Sequence, residues 1–189
     1  MPLPRFSRLP ADRRELILQV ARAHFARDGV DRASYNQIIA ELGISKTSAY
    51  QYFDGKEDLF AGVIEDVHAR VLDALGPWQD ASSAPLFWAR LREASDRLSA
   101  HGAAHPDDLA LLDASTAQDP APWLAPVIDN GRALGVIRPD VDRDLMLTAS
   151  AAVLRAADIW QAARLRRGEA ESTIVWSLLE GLWRQPDAG

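Results

Sequence analysis

The stretch Ser34-Tyr35-Asn36-Gln37-Ile38-Ile39-Ala40-Glu41-Leu42-Gly43-Ile44-Ser45-Lys46-Thr47-Ser48-Ala49-Tyr50-Gln51-Tyr52-Phe53 decides how the rest of the chain reads. Ser34 followed by Gln37 is a capping box just ahead of Ile38 and Ile39. The helix it opens is short, because Leu42-Gly43-Ile44 brings a glycine suited to a tight turn. Ser45 then caps a second short helix, from Lys46 to about Phe53. Two short helices joined by a glycine-containing turn of about three or four residues make a helix-turn-helix unit.

Upstream, Ile17, Leu18, Ala21, His24 and Phe25 form one apolar stripe at helical spacing. They predict a helix from about Asp12 to Arg27, ended near Gly29. Downstream, Asp54 with Glu57 reads as another capping signal. It opens a helix from Lys56 to Leu75, with Leu59, Phe60, Val63, Ile64, Val67 and Val71 on its apolar face and Gly76-Pro77 at its end. Its 20 residues would make a rod of roughly 30 Å. Five further helices are expected at about 85–101, 107–117, 122–135, 142–166 and 170–184, with breakers at Gly102, Pro106, Pro120, Gly135 and Gly168 between them. Pro126 should kink the third of these or delay its start. Strand-like alternation is absent, so the expected fold is all-α with about nine helices.

Composition narrows the function. The 189 residues include no cysteine, which excludes disulfides, cysteine zinc sites and cysteine nucleophiles. No apolar run approaches the roughly 20 residues that a membrane helix needs; the longest, Leu145 to Ala157, is broken by Arg155. Residues 1–10 carry Arg5 and Arg8 with no apolar core behind them, unlike a signal peptide, so the chain reads as soluble and cytoplasmic. The net charge of −6 is unlike that of a nucleic-acid binder. Residues 1–60, however, are at +1, and residues 61–189 at −7. A near-neutral head on an acidic body is compatible with a DNA-reading head.

The segment Arg14 to Phe60 resembles the TetR family of transcriptional regulators. The resemblance runs through Ile17-Leu18, Ala21, Phe25, Gly29, Ile38, Gly43-Ile44-Ser45, Tyr50, Tyr52-Phe53 and Lys56-Glu57-Asp58-Leu59, without a gap. Ile39 and Leu42 stand where the family usually has alanine, and Thr47 where it commonly has glycine. The resemblance implies a helix-turn-helix DNA-binding domain over 1–55. It implies a ligand-binding and dimerisation domain over 56–189, with 56–75 as connecting helix. Gly135-Val136-Ile137-Arg138-Pro139-Asp140 also resembles a stretch common ahead of the family's dimerisation helices.

On this reading Thr47, Ser48 and Gln51 face bases in a major groove. Lys46, Tyr50, Tyr52 and Lys56 face phosphates, and Ser34 and Ser45 cap helix starts within reach of the backbone. A lysine in a first turn opposes the helix macrodipole, so an external anion explains Lys56. Arg5 and Arg8 lie on a proline-bounded stretch read as a disordered tail, with a minor-groove arm as the alternative.

Residues 142–163 carry apolar side chains on two faces, as does the last helix with Ile174, Val175, Leu178, Leu179, Leu182 and Trp183. Helices apolar on most sides are buried on most sides, which predicts a two-fold homodimer through a four-helix interface. All six tryptophans lie beyond residue 75. Trp88, Trp123 and Trp160, with Asp113 and Thr116 as polar contacts, are the candidate lining of a small-molecule pocket suited to a hydrophobic cation. His101 and His105 have ligand spacing, but Gly102 and Pro106 argue against one continuous helix, and no metal or other cofactor is expected. No phosphate loop, nucleophile elbow or carboxylate pair suggests an enzyme. The expected function is a dimeric repressor, released from a palindromic operator in double-stranded DNA by a small-molecule inducer. A compact dimer on a promoter blocks polymerase without further contacts. The alternative is an all-helical scaffold or enzyme whose DNA-binding head is vestigial.

Overall fold

A computed structural model describes residues 2–114, 121–167 and 174–184. Those residues form ten helices and no strand: α1 (Pro4–Ser7), α2 (Ala11–Arg32), α3 (Tyr35–Glu41), α4 (Lys46–Tyr52), α5 (Lys56–Leu75), α6 (Ala84–Ala104), α7 (Pro106–Ala114), α8 (Ala121–Ala133), α9 (Arg143–Arg166) and α10 (Ile174–Trp183). The all-α expectation holds, with α1 as an additional element.

The chain divides into two compact units, Met1–Val71 with His101–Thr116, and Leu72–Ala100 with Ala117–Gly189. In the first, the core is built from the predicted stripe of α2 (Ile17, Leu18, Ala21, Phe25), from Ile38, Leu42 and Phe53 around the helix-turn-helix, and from Leu59, Val63 and Val67 of α5. Leu111 of α7 is buried in the same cluster. Burying each of these side chains larger than alanine stabilises the unit by about 2 kcal/mol before chain entropy is set against it. Gly29 takes φ 74° inside α2, so the regular helix breaks there before one last turn to Arg32.

The segment ahead of α2 corrects the sequence expectation of a disordered tail. Pro4 opens a helical turn, the Leu3 N–H donates to the Tyr52 carbonyl at 2.9 Å, and Phe6 is buried against Phe53 with ring centroids 4.7 Å apart. The capping signal at α5 also differs by one residue. The Asp58 carboxylate, rather than Glu57, reaches back to the Asp54 N–H at 3.1 Å.

In the second unit Phe87, Leu91, Leu124, Val127, Ile128, Ile137, Met146, Leu179 and Trp183 form the core. Aromatic rings link it: Trp78 stands edge-on to Phe87 and Trp123, and Trp183 packs on Phe87 and Trp88. Two indole donors are satisfied, Trp183 Nε1 by Ser150 Oγ and Trp123 Nε1 by the Gly76 carbonyl, both at 2.8 Å, whereas Trp78 Nε1 is buried without a partner. Helix α8 runs unbroken through Pro126, which is exposed. Helix α6 runs past the expected break at Gly102 to Ala104. A Cβ at Gly102 would stand 2.7 Å from Leu109 Cδ1, so the glycine serves close packing rather than termination. The expected starts and ends of helices at 115–120 and 168–173 fall outside the described residues.

Candidate nucleic-acid interface

The turn between α3 and α4 closes as a Schellman motif. Gly43, at φ 61°, donates to the Ala40 carbonyl at 3.1 Å, and Ile44 N–H to the Ile39 carbonyl at 3.4 Å. Only glycine holds that φ without strain. Both predicted caps are made. Ser34 Oγ accepts from Gln37 N–H at 3.4 Å and Ser45 Oγ from Ser48 N–H at 3.1 Å.

Helix α2 supports this unit from behind. Arg13 donates to the Leu42 carbonyl at 3.4 Å, and His24 Nε2 lies 2.8 Å from Glu41 Oε2. The two groups fasten the end of α3 to α2 at both its backbone and its side chain. Ala49 of α4 is buried, which fixes the inward face of that helix. The opposite face therefore looks outward: Lys46, Thr47 and Gln51 are exposed and make no side-chain hydrogen bond among the described residues. Ser48 is half-buried, its hydroxyl 2.9 Å from that of Ser45.

The aromatic residues divide. Tyr50 is 51% exposed and stands edge-on to Tyr35, with ring centroids 5.6 Å apart. Tyr52 is half-buried and packs against the core. The Tyr35 hydroxyl is buried without a partner, and burial, helped by Tyr50 and Asp58, pushes its pKa up to about 12. It stays a neutral donor at neutral pH. Lys56 Nζ donates to the Asp31 carbonyl at 3.0 Å, between α5 and the end of α2. Of the nine residues singled out on sequence, Ser34 and Ser45 have cap duties. The other seven lie on α4 or at the start of α5.

The candidate ligand residues differ in burial. Trp88 and Trp123 pack on the core of the second unit, whereas Trp160 is 40% exposed and carries the Arg164 guanidinium over its ring at 4.8 Å. Thr116 and the Asp113 side chain lie outside the described residues. No group of three or more metal-binding side chains occurs among the described residues. His101 instead bonds Asp108.

Sequence reasoning missed a buried charge cluster in the first unit. Arg22, 5% exposed, donates to Asp108 Oδ1 at 3.1 Å, and Arg70 Nε to Asp108 Oδ2 at 2.9 Å. The available signal was an arginine one residue beyond the Ala21 stripe on a helix otherwise buried there.

Residues 17–63 match the family model described as bacterial regulatory proteins, tetR family. Over this segment the chain is similar to that family. The chain is 35% identical over 106 residues to the HTH-type transcriptional repressor SCO4008 of Streptomyces coelicolor. That match takes in 56% of this chain and 50% of the repressor, so the chain spans half the length of that curated relative. The tetR-type fold recurs in solved structures. One from Shewanella sp. PV-4, assigned to the tetR family, has a TM-score of 0.71 at 17% identity, over 92% of this chain and 99% of that one. Another, a TetR-family transcriptional regulator from Pectobacterium atrosepticum, has a TM-score of 0.66 at 22% identity, over 95% and 100% of the two chains. The chain thus has the all-helical tetR architecture with the N-terminal helix-turn-helix. No helix among the described residues is long and apolar enough to cross a membrane.

Proposed function

We propose that this chain is a dimeric, sequence-specific DNA-binding transcriptional regulator, a repressor released from a palindromic operator by a small molecule bound in its C-terminal unit. The observation that carries the reading is the outward face of α4. Lys46, Thr47 and Gln51 stand exposed on a seven-residue helix fixed from behind by Ala49, the Ser45 cap and the Gly43 turn. A helix so short is unstable alone, and its neighbours hold it in one geometry. Thr47, Gln51 and the Ser48 hydroxyl are assigned to base edges in the major groove. Lys46, Tyr50, Tyr52, Lys56 and Ser34 are assigned to the DNA backbone.

Dimerisation is inferred from α9 and α10, where Leu145, Ile159, Trp160, Ile174 and Leu178 are 40–61% exposed. So many large apolar side chains on two helices are costly in water and suit a partner surface. In a two-fold dimer the reading helices would meet half-sites about 34–36 Å apart. Helix α5, leading from the reading unit, is assigned the coupling between ligand and DNA, which must be reciprocal. The resemblance to a named repressor supports repression over activation.

The test is selection of bound sequences from a random duplex pool, followed by titration of the winner at two salt concentrations. A palindromic winner whose affinity falls steeply with salt is expected. The scaffold and enzyme alternatives give no enrichment.

A further inference from the structure

Asp108 belongs to α7, some fifty residues beyond the helix-turn-helix, yet its carboxylate lies inside the first unit at 1% exposure. It receives three donors from three helices: Arg22 Nη1 of α2 at 3.1 Å, Arg70 Nε of α5 at 2.9 Å and His101 Nε2 of α6 at 2.9 Å. As the third residue of α7 it also sits at the positive end of a helix dipole. Burial alone pushes the carboxyl up, but the hydrogen bonds from Arg70 and Arg22 outweigh it and hold the group below its ordinary value. It is therefore an anion at neutral pH, and both its oxygens are engaged.

The helices it joins are those that place the DNA-facing groups. Helix α2 holds the end of α3 through Arg13 and His24. Helix α5 begins with Lys56. The offset of α2 along α5 thus sets where Lys56 stands relative to α4. Around the carboxylate, Glu15 lies 3.3 Å from Arg22 and 3.8 Å from Arg70, while Asp66 lies 3.8 Å from Arg22. Glu15 is half-exposed and Asp66 stands off, so neither bonds both arginines as closely as Asp108 does. Removing the buried acceptor the arginines share leaves both with these looser partners only, and the helices then shift to rehydrate them.

We infer that Asp108 is a positioning residue for the DNA-reading unit: it fixes α2 to α5, and loss of its charge weakens DNA binding without removing a DNA contact. The inference rests on the function proposed above.

The experiment compares the wild-type chain with Asp108→Asn, and with Arg70→Gln and His101→Gln in case the first does not fold. Hydrogen exchange on the free proteins comes first. In Asp108→Asn the amides of Ser34–Phe53 are expected to exchange at least tenfold faster, with those of α8 and α9 unchanged. Arg70→Gln and His101→Gln should do the same to a smaller degree. Titration of the duplex selected with the wild-type chain follows, with a tenfold or greater loss of affinity expected and an unaltered salt slope. Folded variants with wild-type exchange over Ser34–Phe53, or with wild-type affinity, overturn the inference. A flattened salt slope overturns it too, since that marks a lost phosphate contact. If the wild-type chain enriches no duplex, the proposed function fails, and the exchange comparison still decides whether Asp108 positions the unit.

Discussion

Lys56 donates its ammonium to the carbonyl of Asp31 across 3.0 Å, so the first turn of α5 is tied to the last turn of α2. A cation at the carbonyl end of a helix is stabilising by about 0.5 kcal/mol, and this offsets the unfavourable dipole at its own helix start. Under the proposed function the same ammonium turns to a phosphate when DNA arrives. Lys56→Ala should weaken binding to all duplexes alike and flatten the salt slope by about 1. Titration at several salt concentrations reads this directly. An unaltered slope with a small loss of thermal stability would leave Lys56 as a clasp for α2 alone.

The two serine caps should differ in worth. Ser45 Oγ is closer to its amide than Ser34 Oγ is, 3.1 against 3.4 Å. Ser45→Ala is expected to destabilise by about 1 kcal/mol, and Ser34→Ala by less. Paired denaturant titrations measure the difference, and equal losses would contradict the ranking.

The N-terminal segment is expected to act as a brace. Phe6→Ala should cost about 3 kcal/mol of stability in the first unit, as for other buried phenylalanines. Leu3→Pro suits the observed φ of −70° yet deletes the N–H bonded to Tyr52, and should cost about 1 kcal/mol. Arg5→Ala with Arg8→Ala should leave the salt slope untouched. A slope lowered by that double substitution would restore the minor-groove arm.

His68 gives a pH dependence of known sign. Its Nε2 is buried without a partner, and burial lowers its pKa below 6.5. The unfolded chain therefore binds the proton more readily than the folded one. His68 favours folding fully above 6.5, and that contribution is lost as pH falls through the lowered folded value. Melting temperature should drop across this window, and His68→Leu should remove that part of the drop. An identical pH profile in the variant would exclude the role.

Leu178, 55% exposed on α10, offers a test of association. Leu178→Glu should shift sedimentation from dimer to monomer at micromolar concentrations while leaving the circular dichroism helical. A wild-type chain that already sediments as a monomer would refute the dimer.

What was legible in the sequence was local. The caps at Ser34 and Ser45, the Gly43 turn and both ends of α5 each depend on residues within one or two helical turns. What was hidden depends on distant partners. Pro4 reads as a loop former, and only Phe53 explains why the turn at Phe6 is ordered. Gly102 reads as a breaker, and only Leu109 explains why the helix continues. The Arg22–Asp108 pair is separated by 86 positions, and no local pattern signals it. The three tryptophans proposed as a pocket lie on separate helices, and only the fold shows that Trp88 and Trp123 pack on the core while Trp160 is 40% exposed.

The aromatic residues are sorted by unit. Tyr35, Tyr50 and Tyr52 all fall in the first unit, and Trp78, Trp88, Trp123, Trp160, Trp176 and Trp183 all fall in the second. Nature has in effect given the chain two separate dyes. Selective excitation of indole follows the second unit with no direct background from the first, which holds every tyrosine. Unfolding of the second unit can thus be followed by its own emission in an untagged sample.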